Sequence, residues 1–482
     1  MNSVSQGEAV IVATHRVAGP SLPAAPGLAD AEAGVAPRLA EGTELIGEYR
    51  GSGLREPKYL VRRGDGQVLQ LPRLLYLVAA RLDGRRSMAE VGAAVSAEVG
   101  RELAAEQAMF LVRRKLQPAG LISAPALVPA MALAARSGRP PRPPLRAGCL
   151  PDRANPLPTR SDPLLALRFR LALIPARVAW LIGAVFRPLF WPPVVLSMVG
   201  AFAALDALII AHGGLARLAP SAAALVSRPA LTLLVLGLVL VAAAFHECGH
   251  VTACRYGGAR PGVMGLGLFL VWPAFYSTVT DAYRLGRGGR LRTDLGGVYF
   301  NSIFIAGMSA AYIMTGYPWL LVFMILWHIE TAWQFLPSLR LDGYYILADL
   351  VGVPDLFNRM GPVLRSLMPG RQAHARVLEL KVWVRRLVSL WVAVVLCCML
   401  VAVAGFLIMA PRLLPAAWHS LFTLTRVVAV SARDGSVARA ALGTIQIFLV
   451  LLPWAGIGLL AVSMTGRLAP QRGRHRRSRS SA

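Results

Sequence analysis

Six apolar stretches, each close to the ~20 residues a helix needs to cross a bilayer, constrain this chain more than any other feature. They fall at about 191–212, 230–252, 295–315, 318–337, 388–410 and 441–464. Backbone groups at membrane depth find no water, so runs of this length must satisfy themselves as helices. Charged residues make up only 16% of the chain, against ~25% in soluble domains, which excludes an ordinary soluble enzyme. The 51 Lys and Arg outweigh 25 Asp and Glu, a balance that by itself would suit nucleic acid. Their placement says otherwise. With the amino terminus inside, 29 bases lie in the inner segments and 6 in the outer loops. That excess predicts cytoplasmic termini and removes nucleic acid as a partner. The partner is the lipid bilayer, and the basic run Arg472–Arg479 faces anionic lipid.

Ahead of the spans the chain changes character three times. Residues 1–43 have no continuous apolar core and no signal-peptide pattern, and read as a disordered lead. Residues 44–125 form a small soluble domain. Two strand-like runs, Lys58–Arg62 and Gln67–Leu71, flank the turn Gly64-Asp-Gly66. Helical patterns follow at Arg73–Leu82, Met88–Val99 and Ala105–Leu116. A hairpin followed by three short helices predicts an α+β winged-helix-like domain. Residues 126–165 are rich in Pro and Arg and read as a linker. The membrane domain runs over 166–464, and 465–482 is a basic cytoplasmic tail. Within it, Leu167–Phe190 mixes apolar residues with four Arg and is expected to lie along a membrane surface. The expected fold class is thus an all-α polytopic membrane protein of about six transmembrane helices, with a small winged-helix-like amino-terminal domain. Five cysteines without a CxxC pair exclude a disulfide scaffold and a cysteine zinc finger.

The second span ends in Phe245-His246-Glu247-Cys248-Gly249-His250. Histidines four apart share one helix face and can grip one metal ion, with Glu247 beside the first to take a proton from water. With 8 His and 25 acids in 482 residues, about 0.007 such H-[D/E]-x-x-H matches arise by chance. Three ionisable residues inside a span are costly and mark a function, the alternative being polar glue between helices. Catalytic zinc takes three protein ligands and keeps one position open. The candidate third ligand is Asp342 in Pro337-Ser-Leu-Arg-Leu-Asp-Gly-Tyr-Tyr345, at the depth of the histidine pair. The alternative for Asp342 is a helix cap.

HECGHVTACRYGG, WPAFYSTVTDAYRL and LRLDGYYILADLVGVPDL together resemble the site-two proteases, intramembrane zinc metallopeptidases, and within them a bacterial peptide zinc metalloprotease branch. The similarity covers roughly residues 230–360. It implies that His246, His250 and Asp342 bind Zn2+, that Glu247 is general base and then acid, and that the substrate is a peptide or an unwound transmembrane segment. It also implies a bacterial cytoplasmic membrane location. The family's Gly-rich stretch corresponds to Gly296–Asn301, where Asn301 is either an oxyanion donor or a helix-packing amide. Gln334-Phe-Leu-Pro337 departs from the Asn-containing pattern of that family. Arg81–Glu90 with Leu111–Leu121 resembles PqqD-like domains, which implies a leader peptide or export-system subunits as further partners. Two other functions fit the same residues: a non-proteolytic subunit of a peptide maturation or export system, and an ion-coupled transporter. Of the remaining polar groups, His328 and Glu330 project to nearly opposite faces of the fourth span, so that one of them either faces the active-site cavity or, the favoured reading, makes an interhelical bond. Asp281 is expected to be structural. Val263–Trp272 is too short to span and reads as a re-entrant strand or hairpin.

Overall fold

The computed structural model describes residues 36–65, 67–123, 168–269, 272–368 and 372–468. Most of the expected lead and linker, and the tail from 469, lie outside these residues. The chain divides into two compact units.

In the first unit, strands β1 (Glu44–Glu48), β2 (Lys58–Arg62) and β3 (Val68–Pro72) form an antiparallel sheet in sequence order. Helices α1 (Arg73–Ala80), α2 (Met88–Val99) and α3 (Ala105–Leu111) follow, the last ending in a π-turn over Val112–Leu116. The limits of α2 are written in its sequence. Ser87 and Glu90 close a capping box at its start, and Gly100 ends it at φ 72°. Val61, Leu71, Val78, Val91, Val95 and Leu116 fill one core. Strand β1 is not evident from the sequence, because Gly47 introduces a register shift in its pairing and breaks the alternation.

The second unit is mostly helical. Strand β4 (Arg168–Ile174) leads into α4 (Ala176–Val185), α5 (Pro192–Ala211), α6 (Gly214–Val226) and α7 (Pro229–Tyr256). A hairpin of β5 (Met264–Phe269) and β6 (Trp272–Ser277) precedes α8 (Arg287–Asp294), α9 (Gly296–Thr315) and α10 (Pro318–Gln334). After these come α11 (Asp342–Val351), α12 (Phe357–Leu367), α13 (Ala375–Leu378), α14 (Val382–Arg433) and α15 (Val437–Leu468). Among the described residues, five helices are long and apolar enough to cross a membrane: α5, α7, α9, α14 and α15. The remaining expected span, the fourth (318–337), is α10, whose 17 residues make a helix of only ~25 Å.

Three other segments differ from expectation. Arg168–Ile174, in the segment expected along a membrane surface and given no secondary structure there, is a strand paired with β5, so the hairpin becomes a three-stranded sheet. The loops expected at 213–229 and 411–440 are largely helical, α14 continuing through Pro411 and Pro415.

Packing in this unit turns on missing side chains. A Cβ on Gly249 would fall 2.2 Å from the Gly296 carbonyl oxygen, and one on Gly296 would fall 2.6 Å from that of Gly249. Helices α7 and α9 therefore touch backbone to backbone, which only glycine permits. Phe186, Phe190, Phe245 and Phe300 interlock beside this crossing. Further along, Asp206 of α5 meets His328 of α10, Oδ2 to Nε2 2.9 Å, with Ser309 of α9 beside the carboxylate. Of the two polar residues of this helix, His328 is thus the one that makes an interhelical bond. Asp206→Ala should lower the unfolding midpoint in detergent by several degrees, for a loss of about 1–2 kcal/mol. Asp206→Asn keeps an acceptor for the imidazole and should lose less, as a melt of both variants will show.

Candidate metal centre

Helix α7 carries His246 and His250 one turn apart, 5% and 8% exposed, on the face turned to α9. Their Nε2 atoms lie 3.1 Å apart. Asp342, first residue of α11, brings Oδ2 to 3.2 Å from His246 Nε2 and 3.4 Å from His250 Nε2. Its placement rests on Gly343, where any Cβ would meet the Phe335 carbonyl oxygen at 2.2 Å. Removing that Cβ lets the start of α11 press against the end of α10.

The three atoms test well as metal ligands. An ion held tetrahedrally at ~2.0–2.1 Å spaces its ligands ~3.3–3.4 Å apart, close to what is found here. His250 Nδ1 lies 2.8 Å from the Thr293 carbonyl oxygen, which can only accept, so that nitrogen carries the hydrogen. The Nε2 lone pair of neutral His250 then faces inward, beside a second imidazole nitrogen. Asp342 Oδ2 is buried and makes no hydrogen bond. Inward lone pairs beside an unsatisfied carboxylate oxygen are costly until a cation sits among them. Gly297 leaves the room: its Cβ would fall 2.4 Å from His246 Nε2 and 2.5 Å from His250 Nε2.

The other expected residues take distinct places. Glu247, half-buried, adjoins His246 and holds no hydrogen bond or ion pair among the described residues. Asn301, fully buried on α9, sits behind the site with Oδ1 3.2 Å from His246 Nδ1. Its Nδ2 is directed to Thr331 and Gln334 rather than into the site. Asp281 accepts from the Arg260 amide and Arg284 Nε, a structural tie as expected. Thr293 and Thr331 carry no signature of their own in the sequence, because each acts through its place on a helix, whereas Gly297 belongs to the Gly-rich stretch noted above.

Below the site, on α8, burial and the adjacent Asp349 carboxylate hold the Asp294 carboxyl well above the usual carboxylate range. Arg290 donates to Asp349 at 2.8 Å. The folded state thus holds a proton that the unfolded chain releases above about pH 4. Stability is expected to fall as pH rises from there toward the raised value. Asp294→Asn, permanently neutral, should melt higher than the parent at pH 8 and lose that advantage near pH 4.

No family model matches the chain, and no solved structure matches it. A stretch of 113 residues is 27% identical to "Putative peptide zinc metalloprotease protein YydH" of Bacillus subtilis (strain 168). The match takes in 23% of this chain and 44% of that protein, so the chain spans less than half the length of its relative. A His-His-Asp group able to hold a metal ion, and five helices apolar enough for a membrane among the described residues, thus stand beside sequence similarity with a protein named as a peptide zinc metalloprotease.

Proposed function

We propose that the chain is a zinc metallopeptidase of the site-two type, cleaving peptide bonds of a membrane-embedded or membrane-delivered substrate. The observation that carries this reading is the spacing of His246 Nε2, His250 Nε2 and Asp342 Oδ2 around an oxygen with no hydrogen-bond partner. Held by His246, His250 and Asp342, a zinc ion would supply Lewis-acid polarisation of a scissile carbonyl and make water a better nucleophile near neutral pH. Glu247, with no competing side-chain partner among the described residues, takes the proton of the attacking water and returns it to the leaving amine. The substrate is an extended or unwound segment, because a helix keeps its carbonyls in its own hydrogen bonds. The chain resides in a bacterial cytoplasmic membrane with both termini inside, and its amino-terminal unit docks a leader peptide in the manner of PqqD-like domains.

The test is the metal content of the detergent-purified protein beside His246→Ala and Asp342→Ala. Near one zinc per chain, lost in both variants, is the expected result. Full retention in Asp342→Ala overturns the third ligand. A parent protein that takes up no zinc on reconstitution overturns the whole reading and favours a transporter or scaffold.

A further inference from the structure

The two histidines are oriented by different kinds of partner. His250 is fixed by the Thr293 backbone carbonyl, which no side-chain substitution can turn round. His246 faces the side-chain amide of Asn301, which presents either an acceptor or a donor according to which way it points. What sets that direction decides which nitrogen of His246 is free for a metal.

The answer lies on α10. Thr331 Oγ1 donates to the Trp327 carbonyl oxygen at 2.8 Å, which uses its one hydrogen. Toward Asn301, 3.0 Å away, the hydroxyl can therefore only accept. Gln334 Oε1 supplies a second acceptor at 3.2 Å. The end of the amide facing α10 must then be the NH2 group, and its oxygen must face His246 Nδ1. An acceptor there puts the hydrogen on Nδ1 and leaves the Nε2 lone pair aimed at His250 and Asp342. With the amide reversed, the hydrogen would move to Nε2 and occupy the place of a metal.

We infer that Asn301, held by Thr331 and Gln334, is a positioning residue that fixes the metal-binding tautomer of His246. This rests on the zinc reading above and adds to it a control point one helix away from the ligands. The set is buried where it matters: Asn301 is 0% exposed, and both partners are half-buried.

The experiment measures zinc affinity of the full detergent-solubilised chain by competition with a chelator, for the parent, Asn301→Leu, Asn301→Asp and Thr331→Val. Outer-shell partners of this kind alter metal affinity ~10–100-fold, so Asn301→Leu is expected to fall by that factor. Asn301→Asp is the decisive variant. Aspartate keeps an acceptor for Nδ1 but loses both hydrogen bonds to α10, so the inference expects affinity at or above the parent's. An amide that merely ties α9 to α10 would make Asn301→Asp as poor as Asn301→Leu, and that result overturns the inference. Thr331→Val, on a different helix and nearly isosteric, is expected to weaken binding several-fold by freeing the amide to turn. Parent-like affinity in both Asn301→Leu and Thr331→Val also overturns it. A parent chain that binds no zinc instead removes the reading beneath it.

Discussion

Glu247→Gln is expected to leave the zinc content of the protein unchanged and to lower peptide hydrolysis by ~10²–10⁴-fold. The carboxylate is not one of the three converging ligands, so removing its charge should not empty the site. It holds no hydrogen bond or ion pair among the described residues, so the amide should leave the fold intact. What the substitution removes is the ability to accept a proton beside the metal. Zinc analysis combined with release of fragments from fluorescein-labelled casein reads both quantities on one preparation. Loss of cleavage with zinc retained separates a catalytic base from a structural residue. Equal cleavage by parent and variant would mean that hydrolysis, if present, does not pass through Glu247.

The second large effect is expected from the smallest change, Gly297→Ala. Its new methyl would lie 2.3 Å from His246 Cε1 and 2.5 Å from His250 Nε2, far inside van der Waals contact. Rotation of the rings would take their nitrogens out of reach of Asp342. Nor can the helices absorb the clash quietly, since α7 and α9 are already in backbone contact at Gly249 and Gly296. Separating them would break the Asn301–His246 bond and open the aromatic cluster beside Phe300. We expect zinc near zero per chain and a destabilisation of about 1–3 kcal/mol, the usual range for overpacking. Gly307→Ala on the same helix is the control. A Cβ there meets nothing within 4 Å, so the change should be neutral or stabilise by about 0.5–1 kcal/mol. Zinc stoichiometry and thermal unfolding of the two variants check both statements.

Local periodicity made part of this molecule readable from its residues, and long-range pairing hid the rest. Histidines at a spacing of four must share a helix face, so the pair in α7 was legible, as was an Asp beside helix-breaking Pro337 and Gly343. Strand β5 was legible within 263–272, a run too short to cross a membrane, but its partner β6 continues to Ser277, beyond that run. Strand β4 was not. Its residues are apolar with interspersed Arg, a pattern shared by an interfacial helix, and its strand character comes from pairing with β5 some ninety residues on. Asp206 gave no signal for the same reason, since its partner His328 lies 122 positions away. Proline misled in the opposite direction. Pro411 and Pro415 suggest an end to the helix, yet α14 runs through both.

The glycine contact between α7 and α9 has a thermodynamic consequence. Where the helix that bears both histidines meets α9 through backbone alone, no long side chains stand between them to be reordered when an ion arrives. The cage is assembled by the packing of the bundle, so it exists before it is filled. Filling it then carries little of the ordering cost that makes small zinc domains collapse into shape only on binding. Calorimetry should accordingly record metal uptake with a small heat-capacity change, and chelation should leave the helical circular dichroism of the protein where it was.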